Sequence, residues 1–275
     1  MIDLHTHSTA SDGSDTPAAL AQLGQRAGIT VQALTDHDNV SGVAEFQTMA
    51  KSLGMIGIAG VELSAEVAEG QLHLVGLRID ATAPAVQEKF AKVMAGRADR
   101  NLEILKAFQA QQIDFTLEEV RSFAGKELVS RVHFAQALVQ RGIVSSVSEA
   151  FTHYLGKGAC CYRDRFRYSP EDCIALIHAA GGVAVMAHPL SLETDSVKLE
   201  QQIAHLKEAG LSAMECYYST YGMEETVMLL RIARHLDLVP SAGSDYHGRA
   251  KPTIHLGELT VPAAAEQALR TLLEL

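Results

Sequence analysis

No stretch of about 18 consecutive apolar residues occurs in the chain, so a membrane-spanning helix is not expected. The N-terminus lacks a basic segment followed by an apolar one, which argues against a secretory signal. Cysteine is scarce. Cys160, Cys161, Cys173 and Cys216 show no paired-motif spacing. Adjacent cysteines rarely bridge, so all four are read as reduced thiols of a cytoplasmic protein. There is no P-loop and no nucleophile-elbow serine. The run Gly54-Met55-Ile56-Gly57-Ile58-Ala59-Gly60 is glycine-rich, but it enters a strand rather than leaving one for a helix, and dinucleotide binding is rejected. Positive charge is the minority sign: 23 Lys and Arg stand against 33 Asp and Glu, for a net charge of −10. That balance speaks against a protein that coats nucleic acid, and leaves room for a local basic pocket.

What is present points elsewhere. At 275 residues, 47% of them apolar, the chain can bury the core of one large domain, or of one domain with an insert. Its mean hydropathy of +0.06 suits a globular enzyme. Short apolar runs recur, each carrying a polar group near one end. Met1 to Ser8 delivers His5 and His7 at alternate positions, which places both imidazoles on one face of an extended strand, with Asp12 on the loop beyond. Val31 to Asp38 ends in polar groups that include His37, Met55 to Leu63 closes on Glu62, and Leu72 to Val75 has His73 near its start. Gly182 to Pro189 ends in His188, and Leu238 to His247 ends in Asp245 and His247. Amphipathic segments lie between these runs, opening with N-cap and proline signals at Asp15-Thr16-Pro17 and Ser169-Pro170 and closing at glycines such as Gly28 and Gly54. The alternation predicts a parallel α/β barrel whose chemistry sits at the strand-end mouth.

The rhythm breaks between residues 80 and 168. Four helical segments, Pro84–Gln111, Thr116–Ala124, Ser130–Arg141 and Ser146–Leu155, follow one another with no strand between them. The simplest division is a barrel domain over 1–79 and 169–275, with a helical insertion domain over 80–168 placed above the active site.

The candidate ligands are His5, His7, Asp12, His37, Glu62, His73, His188, Asp245 and His247. Taken singly, each has a plainer explanation. His73 in an apolar run reads as a packed histidine, Glu62 as a turn residue, and His188 before Pro189 as a strand end. Together they form an all-nitrogen-and-oxygen donor set, which suits manganese, with iron or zinc as alternatives, and not a structural zinc–thiolate site. They exceed what one ion needs, so two or three divalent ions are implied, with Glu62 as the natural bridge. Asp36 and Asp38 are read as turn residues. His178, His205 and His235 lie in helices and are assigned to surfaces or packing.

In the insert, Lys157, Arg163, Arg165 and Arg167 cluster within an otherwise acidic chain, and Arg131 stands with Ser130 at a helix start, where backbone N–H groups also favour anions. Arginine forks match phosphate oxygens. A solvated basic face is the plain alternative. Ser130, Arg131, His133 and Lys157 are the candidate substrate contacts, His133 being equally explained by packing on its helix.

The segments Asp3-Leu4-His5-Thr6-His7-Ser8 with Asp12-Gly13, Thr35-Asp36-His37-Asp38, Gly60-Val61-Glu62, His73, Ala187-His188-Pro189 and Gly243-Ser244-Asp245-Tyr246-His247 together resemble the PHP (polymerase and histidinol phosphatase) family of metal-dependent phosphoesterases. The match spans nearly the whole chain in the family's order. The resemblance implies a distorted (β/α)7 barrel of the metallo-dependent-hydrolase kind carrying up to three metals. By resemblance, His5, His7, Glu62 and Asp245 hold the first ion; Glu62, His73 and His188 the second; and Asp12, His37 and His247 the third. Some relatives have histidine at the Asp12 position. His188, His247 and Asp245 are expected to carry catalysis, the two histidines as candidates for assisting the leaving oxygen. The insert, with Ser130-Arg131-Val132-His133 and Tyr154-Leu155-Gly156-Lys157-Gly158, resembles that of small bacterial members acting on nucleoside 3′,5′-bisphosphates or exonucleolytically on short 5′-phosphorylated RNA. The implied partners are a nucleotide or a short single-stranded RNA, with no membrane and no protein partner. The alternatives are a small-molecule phosphatase of the histidinol-phosphate type, a hydrolase of the amidohydrolase type, for which no strand-end lysine stands out, and a non-catalytic PHP module.

Overall fold

The computed structural model describes residues 1–124 and 129–275. Two compact units emerge, Met1–Lys89 with Tyr168–Leu275, and Phe90–Arg167. In the first unit seven strands lie side by side in chain order: β1 (Ile2–Asp3), β2 (Val31–Leu34), β3 (Ile56–Ser64), β4 (His73–Leu77), β5 (Val183–Ala187), β6 (Ala213–Tyr218) and β7 (Val239–Gly243). The sheet curls until its edges meet. Leu4 N–H donates to the Ala242 carbonyl at 3.0 Å, His7 N–H donates to the Tyr246 carbonyl at 2.9 Å, and Thr6 bridges Tyr246 in parallel register. The interior is filled by small and branched side chains, among them Ile2, Val31, Ala33, Ile58, Val75, Val185, Ala213 and Ala242. A barrel this narrow has room for little more.

Helices α1 (Pro17–Arg26), α2 (Val43–Ser52), α7 (Pro170–Ala179), α8 (Ser196–Glu208), α9 (Met223–His235) and α10 (Ala263–Leu272) belong to this unit, and α3 (Pro84–Ala110) begins in it. Their starts follow from local chemistry. Thr16, not Asp15, caps α1 by accepting from Ala19 N–H, with Pro17 in the first turn. Ser169 accepts from Asp172 N–H at the start of α7, and Asp195 accepts from Val197 and Lys198 at the start of α8.

Two expectations are corrected. The barrel is not all parallel: β4 runs antiparallel to both β3 and β5, while the other neighbouring pairs are parallel. Hydrophobic periodicity marks a strand but carries no information about its direction. The reversal explains why His73 opens its run: the first residue of an antiparallel strand lies level with the last residues of its neighbours, and His73 pairs with Ser64 and Ala187. The run Ala213–Tyr218 is also a strand that pattern reading overlooks, because it ends in tyrosines and holds its carboxylate, Glu215, in mid-strand.

The second unit comprises the remainder of α3 with α4 (Leu117–Ala124), α5 (Arg131–Gln140) and α6 (Val147–Ala150), the last continued by a π-helical turn over Phe151–Leu155. It has its own apolar core, which includes Ile104, Phe108, Phe134, Leu138 and Leu155. Phe108 is the hub, edge-on to Phe115 at 5.3 Å and stacked on Phe134 at 6.1 Å. Removing so large a buried ring leaves a cavity. Phe108→Ala is expected to destabilise this unit by about 3–5 kcal/mol, read by denaturant unfolding. A loss below about 1 kcal/mol would show that Phe108 is not the hub. No helix among the described residues is long and apolar enough to cross a membrane.

Candidate active site

The first strand delivers His5 and His7 to the barrel rim. Regular pairing of β1 stops at Asp3, but the backbone stays extended to the Thr6 bridge, so both side chains take the same side. His5 Nε2 lies 3.4 Å from Glu62 Oε2 and 3.6 Å from Asp245 Oδ1, and His7 Nε2 lies 3.3 Å from each. Glu62, fully buried on β3, is the hub. Its Oε2 faces His5, His7 and, at 2.8 Å, His37 Nδ1, while its Oε1 faces His73 Nδ1 at 2.8 Å and His188 Nε2 at 3.0 Å. The two oxygens of one carboxylate thus serve two sides of the cluster. Asp12 closes the far side, 3.3 Å from His247 Nε2 and 3.9 Å from His37 Nε2. All nine of the candidate ligands read from the sequence come together.

The surrounding chain aims them. Asp36 accepts from Ser8 N–H, Ser8 Oγ–H and Ser11 Oγ–H, which holds the loop carrying His7 and Asp12. Asp38 accepts from Ser64 N–H at 3.3 Å. Asp245 adopts φ +56°, a left-handed conformation that an aspartate accepts more readily than most residues. The phenol of Tyr218 donates to Asp245 Oδ2 at 2.5 Å, and Lys251 Nζ contacts the same oxygen. His205 pairs with Glu171 and His235 with Glu200 on helices outside the cluster.

Burial opposes charge on Glu62, yet His37, His5 and His73 outweigh it and hold the carboxyl well below the usual range. Asp245 and Asp12 are held low against the same opposition, by His5 and His247 and by His37 and His247 respectively. Burial depresses His7 to about 4, helped by neighbouring His247, and burial likewise takes His73 to about 4. Carboxylates held low beside His7 and His73, both depressed by burial, give the electrostatics of a cation site, while for His5 burial is outweighed by Glu215, Glu62 and Asp245, which raise it. His5 Nε2, His7 Nε2 and Glu62 Oε2 are buried and make no hydrogen bond with the described residues. Atoms left in that state require a partner of another kind. Donor atoms of His5, His7 and Asp245, of His37, Glu62 and His73, and of His7, Asp12, His37 and His247 each converge within 4.8 Å, and the donor set fits divalent metal.

A family model described as the PHP domain matches residues 3–209. The chain belongs to the PHP family. A 5′-3′ exoribonuclease of Haemophilus influenzae is 36% identical to it over 245 residues, 89% of each chain. A 3′,5′-nucleoside bisphosphate phosphatase of Chromobacterium violaceum is 32% identical over 250 residues, 90% of this chain and 87% of that one. The structure of an amidohydrolase from Chromobacterium violaceum, solved with sulfate bound and no metal, superposes with a TM-score of 0.89 at 29% identity, covering 98% of this chain and 96% of that one. This PHP chain is therefore a metal-dependent hydrolase of phosphate esters.

The helical unit of this PHP protein holds a second polar feature. Arg97 and Arg100, one turn apart on α3, are each only 5% exposed. Burial, then the charges of Arg97, Arg165, Arg131 and Arg167, push the Arg100 guanidinium well below its ordinary range. Burial also lowers Arg131, with Arg167 and Arg97 adding to the effect. Arg131 donates to the Leu155 carbonyl at 3.2 Å and lies over the rings of Tyr162 and Phe151 at 5.5 and 5.7 Å. Arg167 pairs with Asp164, and Arg163 donates to the Tyr162 carbonyl at 2.6 Å. His133 Nδ1 accepts from Ser130 N–H at 3.0 Å, so this imidazole caps its own helix, while the buried Ser130 hydroxyl makes no hydrogen bond with the described residues. Lys157 is exposed on the turn after the π-helical segment.

Sequence reading misses Arg97, Arg100, Tyr218 and Lys251. The signal for the first two is Arg97-Ala98-Asp99-Arg100-Asn101, whose arginines share a helix face at i and i+3. Tyr218 and Lys251 carry no signal short of the fold.

Proposed function

We propose that this enzyme hydrolyses the 5′-phosphate of nucleoside 3′,5′-bisphosphates with manganese held by the rim cluster, and that the arginine group of the helical unit binds phosphate. The observation that carries the proposal is Arg100. Arg100 and Arg97 are each only 5% exposed, Arg100 donates to Asn101 Oδ1 at 2.9 and 3.1 Å, and a phosphate dianion would offset the like charges gathered around them. A monophosphate of the histidinol-phosphate kind has nothing to place there. A short 5′-phosphorylated RNA does, because its first internucleotide phosphate stands where the 3′-phosphate of the bisphosphate would. Exonucleolytic release of a 5′-mononucleotide is the second reading.

The division into a barrel over 1–79 and 169–275 and an insertion over 80–168 enters as part of the proposal, the insertion serving substrate recognition. His5, His7, Glu62 and Asp245 would hold one ion, Glu62, His73 and His188 a second, and Asp12, His37 and His247 a third. Such ions polarise phosphoryl oxygens, lower the pKa of bound water and neutralise charge developing on the leaving oxygen. The chain's own groups orient and exclude water around them. Tyr218 and Lys251 hold the outer oxygen of Asp245, leaving Oδ1 toward His5 and His7. His247 Nδ1 is within 2.8 Å of the Asp245 carbonyl, which fixes Nδ1 as the protonated nitrogen and turns Nε2 inward. His188 and His247 are proposed to assist the leaving oxygen. A cytoplasmic location is proposed as well, supported by four free cysteines.

Phosphate release from adenosine 3′,5′-bisphosphate, AMP and a 5′-phosphorylated dinucleotide tests the reading. The bisphosphate is expected to give the highest kcat/KM, and a preference for AMP would overturn it. Manganese at about a hundred times its Kd should also stabilise the fold by about 2.7 kcal/mol per independent ion. A thermal melt that neither manganese raises nor a chelator lowers would leave the cluster without its cation.

A further inference from the structure

We infer that Glu215 is the positioning residue that commits two histidines of the centre, His5 and His188, to their inward orientation. The inference rests on the reading that the rim cluster holds cations. Glu215 lies in mid-strand on β6, 2% exposed, and is not among the convergent donor groups. Its two oxygens do different work. Oε1 accepts from His5 Nδ1 at 2.8 Å. With its proton held there, His5 can present only the Nε2 lone pair to the space between Glu62 and Asp245. Oε2 accepts from the backbone N–H of His188 at 2.6 Å. His188 sits at φ +26°, ψ +65°, a conformation a non-glycine residue keeps only when its surroundings impose it. From that backbone its Nε2 reaches Glu62 Oε1, with Nδ1 within 2.8 Å of Ser191 Oγ. One buried carboxylate thus sets a tautomer just past β1 and a backbone angle after β5.

The neighbouring strands make room for this. Opposite β7, the register of β6 shifts between Glu215 and Tyr217, the kind of irregularity that re-aims a side chain. On β7 itself, a Cβ at Gly243 would stand 2.3 Å from Glu215 Oε1 and 2.4 Å from His5 Cβ. Glycine at 243 is therefore what lets the carboxylate pass behind the imidazole.

Glu215→Gln keeps the volume but has one carbonyl oxygen, so it cannot accept from both donors. The full chain is stripped with a chelator and titrated with manganese(II), free ion being read by electron paramagnetic resonance. Loss of an outer-sphere partner costs about 10–100-fold in metal affinity, and that rightward shift is the expected result. Catalysis should recover as manganese is raised, while the chelated variant melts like the chelated parent. Cys216→Ala, at the equally buried neighbour, serves as the control for general damage to β6 and should leave manganese affinity unchanged. Should the glutamine variant not fold, Glu215→Asp keeps the charge and withdraws it by one methylene, with the same shift expected. Parent-like affinity in whichever variant folds overturns the proposal, as does an equal loss in Cys216→Ala. A parent chain that takes up no manganese, iron(II) or zinc removes the cation reading and this proposal together.

Discussion

His7→Ala abolishes phosphate release while leaving the chain folded. His7 stands within 3.3 Å of both Glu62 and Asp245 and belongs to two of the three convergent donor groups, so its loss disturbs more than one ion position. Charge stabilisation by a bound metal is worth several kcal/mol at the transition state. At about 1.4 kcal/mol per tenfold in rate, a fall of about a thousand-fold or more is expected in kcat. Asp245→Asn should do the same. Asparagine is the substitution of choice because it tolerates φ +56° where alanine would add backbone strain. Circular dichroism and a chelated melt should show both variants folded. The imidazole is already held neutral by burial, so its removal strands no paired charge. Turnover within tenfold of the parent in chelator-treated His7→Ala would refute the role of the cluster in catalysis.

Arg131→Ala separates substrates rather than abolishing activity. A hydrogen bond to a charged group contributes about 1.5–3 kcal/mol, which corresponds to a KM for adenosine 3′,5′-bisphosphate raised by about 10–100-fold. AMP, with no second phosphate, should move little. Removing one member of a crowded cationic group relieves repulsion on Arg100 but also gives up the hydrogen bond to the Leu155 carbonyl and the packing on Tyr162 and Phe151, so the melt is to be read beside the kinetics. Equal KM changes for both substrates would strike the second-phosphate grip from the account.

The rim chemistry was legible in the sequence because a charged or imidazole side chain beside an apolar run is costly to bury without purpose, and six such runs carry one. Strand direction was not legible. The pattern around His73 is the same whether the strand runs up or down, and only pairing with Ser64 and Ala187 decides it. Glu215 escaped notice because it interrupts its strand rather than ending it. Arg97 and Arg100 stand in a 27-residue helix with many other charged residues, and their i, i+3 spacing does not say which face is covered. Their burial depends on packing partners distant in sequence.

The reversed strand β4 has an evolutionary consequence. It zips directly onto β5 from His73 opposite Ala187 to Leu77 opposite Val183, so the two strands form a hairpin whose loop happens to be about a hundred residues long. Closure entropy grows only logarithmically with loop length: doubling it costs about 0.6 kcal/mol. Nature can therefore shorten, lengthen or exchange the excursion between those two strands at small thermodynamic expense, provided the replacement brings its own core as this one does. The rim cluster and the helical unit are free to diversify on separate schedules.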